Sequence, residues 1–160
     1  MNLKTKDRLN NPFSSLKYRN FRLFWIGMCV SLIGTWMQNI AQPWLAYSLS
    51  GSPLLLSLVG TLQFTPVLLF SLFAGVIIDR FPKKKILLYT QTASLLITLV
   101  LSILVFSGNI RFWHILVMSA MLGTVNAFDM PARQAFVIDL VEKDSLMNAI
   151  ALNSMAFNLA

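Results

Sequence analysis

Two long uncharged stretches dominate the pattern of apolar and polar positions along this chain. No formally charged residue lies between Leu23 and Ile78, a run of 56 residues, or between Ile86 and Ile110, a run of 25. A hydrocarbon core about 30 Å thick needs roughly 20 apolar helical residues to cross it. The pattern therefore predicts helices that span a lipid bilayer.

Breaks in the apolar pattern divide the chain into helices. Polar turns that contain glycine occur at residues 48–53, SLSGSP, and 107–111, SGNIR, and turns of this composition end helices. We expect an all-α membrane protein in which a basic amino-terminal segment, residues 1–22, precedes a partial transmembrane bundle, residues 23–160. Four full transmembrane helices and the start of a fifth are predicted at about 23–47, 54–78, 86–106, 112–128 and 145–160.

Positive charges lie almost entirely on one side of the predicted membrane. Six Lys and Arg residues precede the first helix, four follow the second and two follow the fourth, whereas Arg111 is the one basic residue at the opposite helix ends. Short loops rich in Lys and Arg stay in the cytoplasm. We therefore predict a multi-pass protein of the cytoplasmic (inner) membrane whose amino terminus is cytoplasmic.

The segment before the first predicted span has two interpretations. Apolar residues such as Phe21 alternate with basic residues such as Lys17 and Arg19, a pattern typical of an amphipathic segment that lies on the inner leaflet. The alternative is a disordered basic tail that extends to about Lys17. In either case a span of full length follows without a small-residue cleavage pattern, so a cleaved signal peptide is not predicted.

Composition and charge exclude several other classes of protein. Hydrophobic residues make up 56% of the chain and charged residues 12%, which is more apolar than an ordinary soluble domain. The net charge of +7 does not indicate nucleic-acid binding, because the basic residues are confined to the ends of apolar spans. The sequence contains no nucleophile paired with a base, no P-loop and no dinucleotide motif, so neither an enzyme nor a bound cofactor is predicted.

A group of acidic residues follows the fourth predicted helix. Asp139, Glu142 and Asp144 lie close to Lys143 in the sequence, without a neighbouring His or Cys. This composition indicates a solvated acidic loop and no metal site.

Residues 75–85, GVIIDRFPKKK, resemble the signature loop between the second and third helices of the major facilitator superfamily, commonly written G-x-x-x-D-R-x-G-R-K/R. Pro82 stands where that pattern has glycine. TWMQ, SGSP and PARQA resemble the drug and siderophore exporter branch, which includes the enterobactin exporter and macrolide efflux pumps. The resemblance covers about residues 17–160 and implies a secondary active transporter that exports small amphipathic compounds by alternating access, coupled to protons.

The resemblance also implies a cytoplasmic gate. Gly75 and Asp79 lie four residues apart on one helical face, so another helix can approach over the glycine with its positive amino-terminal end toward the carboxylate. Asp79 and Arg80 would help to hold the gate shut, with Arg133 of the other cytoplasmic loop as a candidate salt-bridge partner. We define the gate motif as Gly75, Asp79, Arg80, Lys84 and Arg133. For the basic run that contains Lys84, anchoring of the loop by positive charge is the alternative.

Four polar residues of the first predicted helix share one face. Ser31, Thr35, Gln38 and Gln42 are spaced four, three and four residues apart, and a polar stripe on an apolar helix faces protein or water. In the family that the sequence resembles, the first and fourth helices line the central cavity. The stripe and Asn126 are therefore the candidate substrate path, with simple hydrogen bonding between helices as the alternative.

The sequence offers few candidates for carrying a proton. No carboxylate lies in the middle of a predicted span, because Asp79 and Asp129 both fall at predicted helix ends. Ionisable residues inside spans are the usual members of proton relays. If export is coupled to protons, as the resemblance implies, the carrier is Asp129 or a residue that this chain does not contain.

The fifth predicted helix is short for a membrane span. From Ser145 to Ala160 it has 16 residues, about 24 Å at roughly 1.5 Å per residue. Superfamily transporters place their substrate between two halves. We therefore expect an amino-terminal fragment whose partners are the lipid bilayer, a small substrate and a missing carboxy-terminal half. Two alternatives stay open: a small membrane subunit that assembles with itself, and a membrane interaction protein that transports nothing.

Overall fold

The computed structural model describes residues 14–142 and 145–159. Within these residues a short 3-10 helix at Ser14–Lys17 precedes five α-helices, and no strand occurs. The α-helices are α1 Arg19–Ser50, α2 Pro53–Arg80, α3 Lys83–Phe106, α4 Phe112–Leu140 and α5 Leu146–Leu159. The predicted all-α architecture is confirmed.

The helix lengths agree with a membrane bundle. Helices α1 to α4 have 32, 28, 24 and 29 residues, and all four are long and apolar enough to cross a membrane. Helix α5 has 14 residues, which fits the prediction of four full helices and a shorter fifth. Residues 1–13 of the predicted amino-terminal segment, and Lys143 and Asp144 of the predicted acidic loop, lie outside the described residues.

Glycines at the two predicted polar turns adopt the left-handed backbone conformation. The φ angle is 61° at Gly51 and 68° at Gly108, values that a residue without a Cβ adopts without steric strain. The Gly51 N–H donates to the Tyr47 carbonyl, 2.7 Å away, at the end of α1. Pro53 then begins α2, at a position where its missing N–H has no helical partner to lose. Both predicted turns thus contain a break between helices, although α1 continues to Ser50, beyond its predicted end near residue 47.

Helix α4 continues far beyond its predicted end near Phe128. It extends to Leu140 and contains Pro131 in its interior. A membrane helix tolerates proline when neighbouring groups satisfy the carbonyl that proline leaves without a partner. Asp129 and Arg133 are one turn apart and form a salt bridge, so both charges are accommodated within the helix. Arg133 is therefore a helical residue, and its predicted position in a loop is wrong.

The described residues form two compact units. The first unit joins the chain up to Asn39 to the segment from Ala135 onward, and the second comprises Ile40–Gln134. The main buried cluster of the first unit consists of Phe21, Val137, Ala149 and Leu152. The main buried cluster of the second unit consists of Ala46, Val59, Leu101 and Ile115.

In the first unit, the described end of the predicted amino-terminal segment packs against protein, and from Arg19 onward it belongs to α1. Ser15 and Phe21 are fully buried, and the Ser15 hydroxyl donates to the Ser145 carbonyl at 2.9 Å. The indole N–H of Trp25 donates to the Leu152 carbonyl at 3.3 Å. Ser14–Lys17 thus form a short 3-10 helix, and Phe21 packs against protein.

In the second unit, α2 and α4 cross closely at Gly123. A Cβ added there would lie 2.9 Å from the carbonyl carbon of Gln63 and closer still to its oxygen. No side chain fits in that space, because the obstacle is backbone. The crossing of these two helices therefore depends on a glycine at this position.

Candidate functional site

The turn between α2 and α3 carries most of the gate motif. Helix α2 ends at Arg80, and Phe81 and Pro82 connect it to Lys83, the first residue of α3. Phe81 is extended, and its N–H donates to the Ile77 carbonyl at 3.1 Å. Pro82 has a φ of −58°, an ordinary value for proline. A proline at the glycine position of the family pattern is therefore compatible with a tight turn of two residues.

One face of α2 is open in the described part of the chain. Leu68, Leu72, Gly75 and Asp79 follow at intervals of four, three and four residues, so they share this face; we call it the open face of α2. Leu72 is 82% exposed, and Asp79 is exposed as well. A Cβ added to Gly75 would meet nothing within 4 Å. The open face therefore has room for another helix to approach Asp79 over Gly75.

Positive charge is concentrated just beyond the open face. Arg80 and Lys84 are exposed, and the first turn of α3 contains no acidic residue and no side-chain cap. The backbone N–H groups at the start of a helix add partial positive charge of their own. Asp79 is therefore a single carboxylate beside a strongly positive turn.

Asp129 of α4 is the centre of a buried polar cluster. The Thr90 hydroxyl and the Gln91 side-chain amide, both on α3, donate to its Oδ1 at 2.6 and 2.9 Å. The Nε of Arg133 donates to its Oδ2 at 2.5 Å. Asp129 and Arg133 are each only 6% exposed. We call these four residues the Asp129 cluster.

The Asp129 cluster has the hydrogen bonding that an ionised carboxylate requires. An ionised carboxylate only accepts hydrogen bonds, and each described partner of Asp129 is a donor. Arg133 supplies the opposite charge, without which a charge in an apolar interior is strongly unfavourable. Because Thr90 and Gln91 belong to α3, the cluster also joins α3 to α4. The sequence-based candidate for carrying a proton is thus a bonded member of a helix junction.

The partner of Arg133 differs from the one that the sequence suggested. We expected Asp79 across two loops, whereas the structure pairs Arg133 with Asp129 on its own helix. Sequence reasoning missed Thr90 and Gln91 altogether. The sequence does contain one signal for the Asp129–Arg133 salt bridge, which is the spacing of four residues. This spacing predicts a salt bridge only if the helix continues through Pro131.

Gln42 and Ser119 link α1 to α4 in the second unit. The Gln42 amide donates to the Ser119 hydroxyl oxygen at 2.5 Å, and the Ser119 hydroxyl donates to the Ile115 carbonyl at 2.7 Å. Gln42 is 5% exposed, which favours hydrogen bonding between helices over direct contact with a substrate. Asn126, on α4, is half-buried.

The other residues of the α1 stripe lie in the first unit. Ser31, Thr35 and Gln38 are half-buried, and the Thr35 hydroxyl donates to the Ser31 carbonyl at 3.0 Å. A hydroxyl bonded to its own helix keeps lone pairs that can accept a further hydrogen bond. These three residues therefore remain candidates for the substrate path.

A second polar stripe, on α2, was missed by the sequence analysis. Ser57, Thr61 and Thr65 are spaced by four residues and exposed, and each hydroxyl donates to a carbonyl of the same helix at 2.7 to 2.9 Å. Such local bonds let hydroxyl groups lie within an apolar helix. Thr65 lies three residues before Leu68, so the stripe continues the open face toward the beginning of α2.

Comparison with known proteins connects these features to transporters. A family model described as transmembrane secretion effector matches residues 10–160. The staphyloferrin A transporter of Staphylococcus aureus is 28% identical over 86% of this chain and 35% of its own length. Macrolide efflux protein A of Streptococcus pyogenes is 29% identical over 81% of this chain and 33% of its own length.

A further relative, an uncharacterized MFS-type transporter of Bacillus subtilis, is 30% identical over 89% of this chain and 33% of its own length. The chain thus spans about a third of the length of these curated relatives. No solved structure matches it significantly.

Proposed function

Because this chain belongs to the transmembrane secretion effector family of the major facilitator superfamily, we propose that it is part of an exporter of small amphipathic compounds. The match to that family over residues 10–160 carries the proposal. One relative is named for the transport of staphyloferrin A and another for macrolide efflux, which supports a small organic cargo and outward movement. The chain is a transporter component and not an enzyme.

The proposed mechanism is alternating access with a gate at the α2–α3 turn. A helix of the other half of the transporter would approach over Gly75 and present its positive amino-terminal end to Asp79. This contact would form when the gate closes and break when it opens. The open face of α2 supports the proposal, because it leaves space for such a helix.

Orientation and energy source belong to the same proposal. The basic turn and the amino terminus would face the cytoplasm, as the distribution of Lys and Arg favours. Export would be driven by protons. Since Asp129 already accepts three hydrogen bonds, we place the proton carrier outside this cluster, in a part of the transporter that the chain does not include.

An accumulation assay tests the proposed function. The longest protein that the coding sequence encodes, here called the complete transporter, would be expressed in bacteria that lack their own efflux pumps. Cellular accumulation of a labelled macrolide, a siderophore and a cationic dye would be measured. We expect lower accumulation of at least one compound, reversed by a protonophore. Unchanged accumulation of all three would contradict the exporter, and a decrease that resists the protonophore would contradict proton coupling.

Two further measurements separate the alternatives. Expression of the 160-residue chain alone should give membrane insertion without efflux, whereas efflux by that chain would support a self-assembling subunit. Labelling with a membrane-impermeant thiol reagent should modify a cysteine at Ser50 from outside the cell and leave one at Lys84 unmodified. The reverse result would contradict the proposed orientation.

A further inference from the structure

We infer that Thr90 and Gln91 are positioning residues that hold the Asp129 carboxylate. By holding it, they fix how α3 is rotated against α4. They thereby also fix the position of the turn between α2 and α3, which we call the gate turn. The effect on the rotation of α3 against α4 follows from the geometry of the Asp129 cluster alone. The consequence for the gate rests on the proposed function.

The two donors come from consecutive positions of one helix. Successive residues of an α-helix point about 100° apart, yet Thr90 and Gln91 both reach the same oxygen, Oδ1 of Asp129, at 2.6 and 2.9 Å. One acceptor can be reached by both side chains only within a narrow range of rotation of α3 about its own axis. The pair of bonds therefore sets that rotation.

Thr90 has a choice of acceptors, and the charge on Asp129 decides between them. Its Oγ1 lies 2.6 Å from Asp129 Oδ1 and 3.1 Å from the Leu87 carbonyl of its own helix. A hydroxyl has one proton to donate, and a bond to an ionised acceptor is shorter and stronger than a bond to a neutral one. The Thr90 proton is thus directed to α4 instead of to its own helix.

Arg133 keeps the carboxylate in place for this contact. It donates to Oδ2 from a position one turn along α4, so it orients Asp129 without crossing between helices. The donors described here that cross from α3 to α4 at Asp129 are Thr90 and Gln91. Removing them would leave the carboxylate paired with Arg133 but would take away the polar contacts that fix the rotation of α3.

The cluster lies close enough to the gate turn to control it. Thr90 follows Lys83, the first residue of α3, by two helical turns, or about 10 Å. Phe81 and Pro82 alone connect that start to α2. Because a helix rotates as a rigid element, a change at Thr90 moves the beginning of α3, the basic residues there and the end of α2 that carries Asp79.

Thr90→Val and Thr92→Val, made in the complete transporter, form a matched pair. Valine keeps the shape of threonine and removes the hydroxyl. Thr92 lies on the same helix, is exposed, and donates to the Leu88 carbonyl of that helix at 2.7 Å. We expect Thr90→Val to lower the melting temperature in detergent while Thr92→Val leaves it unchanged. Thr90→Ser, which restores the hydroxyl, should recover the melting temperature. Equal melting temperatures for the two valine variants would overturn the inference.

A labelling experiment tests positioning apart from stability. In membranes containing the complete transporter, with Cys29 and every other native cysteine replaced by Ala, a cysteine would replace Lys85, which is exposed. The rate at which this cysteine reacts with a thiol reagent would be measured. We expect Thr90→Val to change this rate several-fold, with recovery in Thr90→Ser and no change in Thr92→Val. A lower melting temperature with an unchanged labelling rate would overturn the positioning role.

Neither measurement requires transport, so both remain decisive if the proposed export is not found. Where export is found, Thr90→Val should reduce it and Thr90→Ser should restore it. If Thr90→Val shifts the labelling rate while export stays at the level of the unmodified transporter, the link from α3 to the gate is wrong, although export itself stands.

Discussion

Asp79 and Asp129 are carboxylates of the same compact unit, and their surroundings are opposite. Asp129 is buried and accepts hydrogen bonds from two helices. Asp79 lies exposed at the end of the open face of α2. A contact that persists throughout a transport cycle can be built inside one bundle, whereas a contact that forms and breaks needs its carboxylate on a surface. The difference supports a permanent junction at Asp129 and a changing contact at Asp79.

Gly75 and Gly123 show the same contrast between an exposed and a buried position of the backbone. At Gly123, the main chain of Gln63 already occupies the space of a Cβ. At Gly75, the same space is empty to 4 Å. Both glycines permit close approach of another helix, and among the described residues a helix takes up that space at Gly123 but not at Gly75. Substitutions at Asp79 and Gly75 test whether a second helix comes to Gly75.

The largest effect is expected from Asp79→Asn in the complete transporter. The substitution removes the charge that would attract a helix amino terminus, so transport should fall roughly tenfold, the factor for about 1.4 kcal/mol of lost interaction. Initial rates of export and the amount of protein in the membrane would be compared. Insertion should persist. Glu142→Gln removes another exposed carboxylate and serves as the control, and equal rates in the two variants would refute the gate role.

Gly75→Leu should also reduce transport, because the added side chain would block the approach of a helix over the open face. Ile77→Leu is the control, since Ile77 is exposed on the same helix and lies two residues, or about 200°, from Gly75, on the opposite side. Rates of export at matched expression would decide. Similar transport in both variants would show that no helix uses the space over Gly75.

Gly123→Ala and Gly75→Ala, made in the 160-residue chain without the proposed partner helix, should change stability in opposite directions. The first forces the Gln63 backbone away and should lower stability by about 1–3 kcal/mol. The second fills empty space with a better helix former and should raise stability by roughly 0.5–1 kcal/mol. Melting temperatures in detergent would show the two shifts. A destabilising Gly75→Ala would mean that α2 is already covered at this position.

Gln42→Leu is expected to have the smallest effect. It removes the bond to Ser119, but the Ser119 hydroxyl keeps the Ile115 carbonyl as its acceptor, so the loss should be about 0.5–1.5 kcal/mol. Export of several compounds should be reduced evenly. A selective loss for one compound would instead place Gln42 in the substrate path.

The helices could be predicted because the length of an apolar run, the positions of charged residues and the backbone freedom of glycine all depend on the local sequence. The uncharged runs define the spans, and Gly51 and Gly108 adopt the backbone conformation that their turns require. The end of α4 is predicted too early, because charged residues usually mark the point where a helix leaves the membrane. Asp129 and Arg133 instead neutralise each other one turn apart inside the helix, and that pairing is not visible once a boundary is placed at Phe128.

The candidate site was predictable only in part, because contacts between helices depend on how the helices are rotated. Gly75 and Asp79 share a face by spacing alone, and the structure retains that relation. The partners of Asp129 come from α3, and no local pattern indicates that Thr90 and Gln91 point toward α4. Likewise, the spacing of Gln42 predicts a polar stripe without revealing Ser119 as its partner.

Photo-crosslinking from the open face of α2 tests the central claim most directly. A photoreactive amino acid would replace Leu72, which is 82% exposed, and in a control Phe106 of α3, which is 92% exposed. In the complete transporter, we expect the Leu72 probe to form an adduct with the carboxy-terminal half, with a yield that changes when substrate is added, while the Phe106 probe labels lipid. Labelling of lipid alone from both positions, with or without substrate, would contradict the proposal that another helix reaches Asp79.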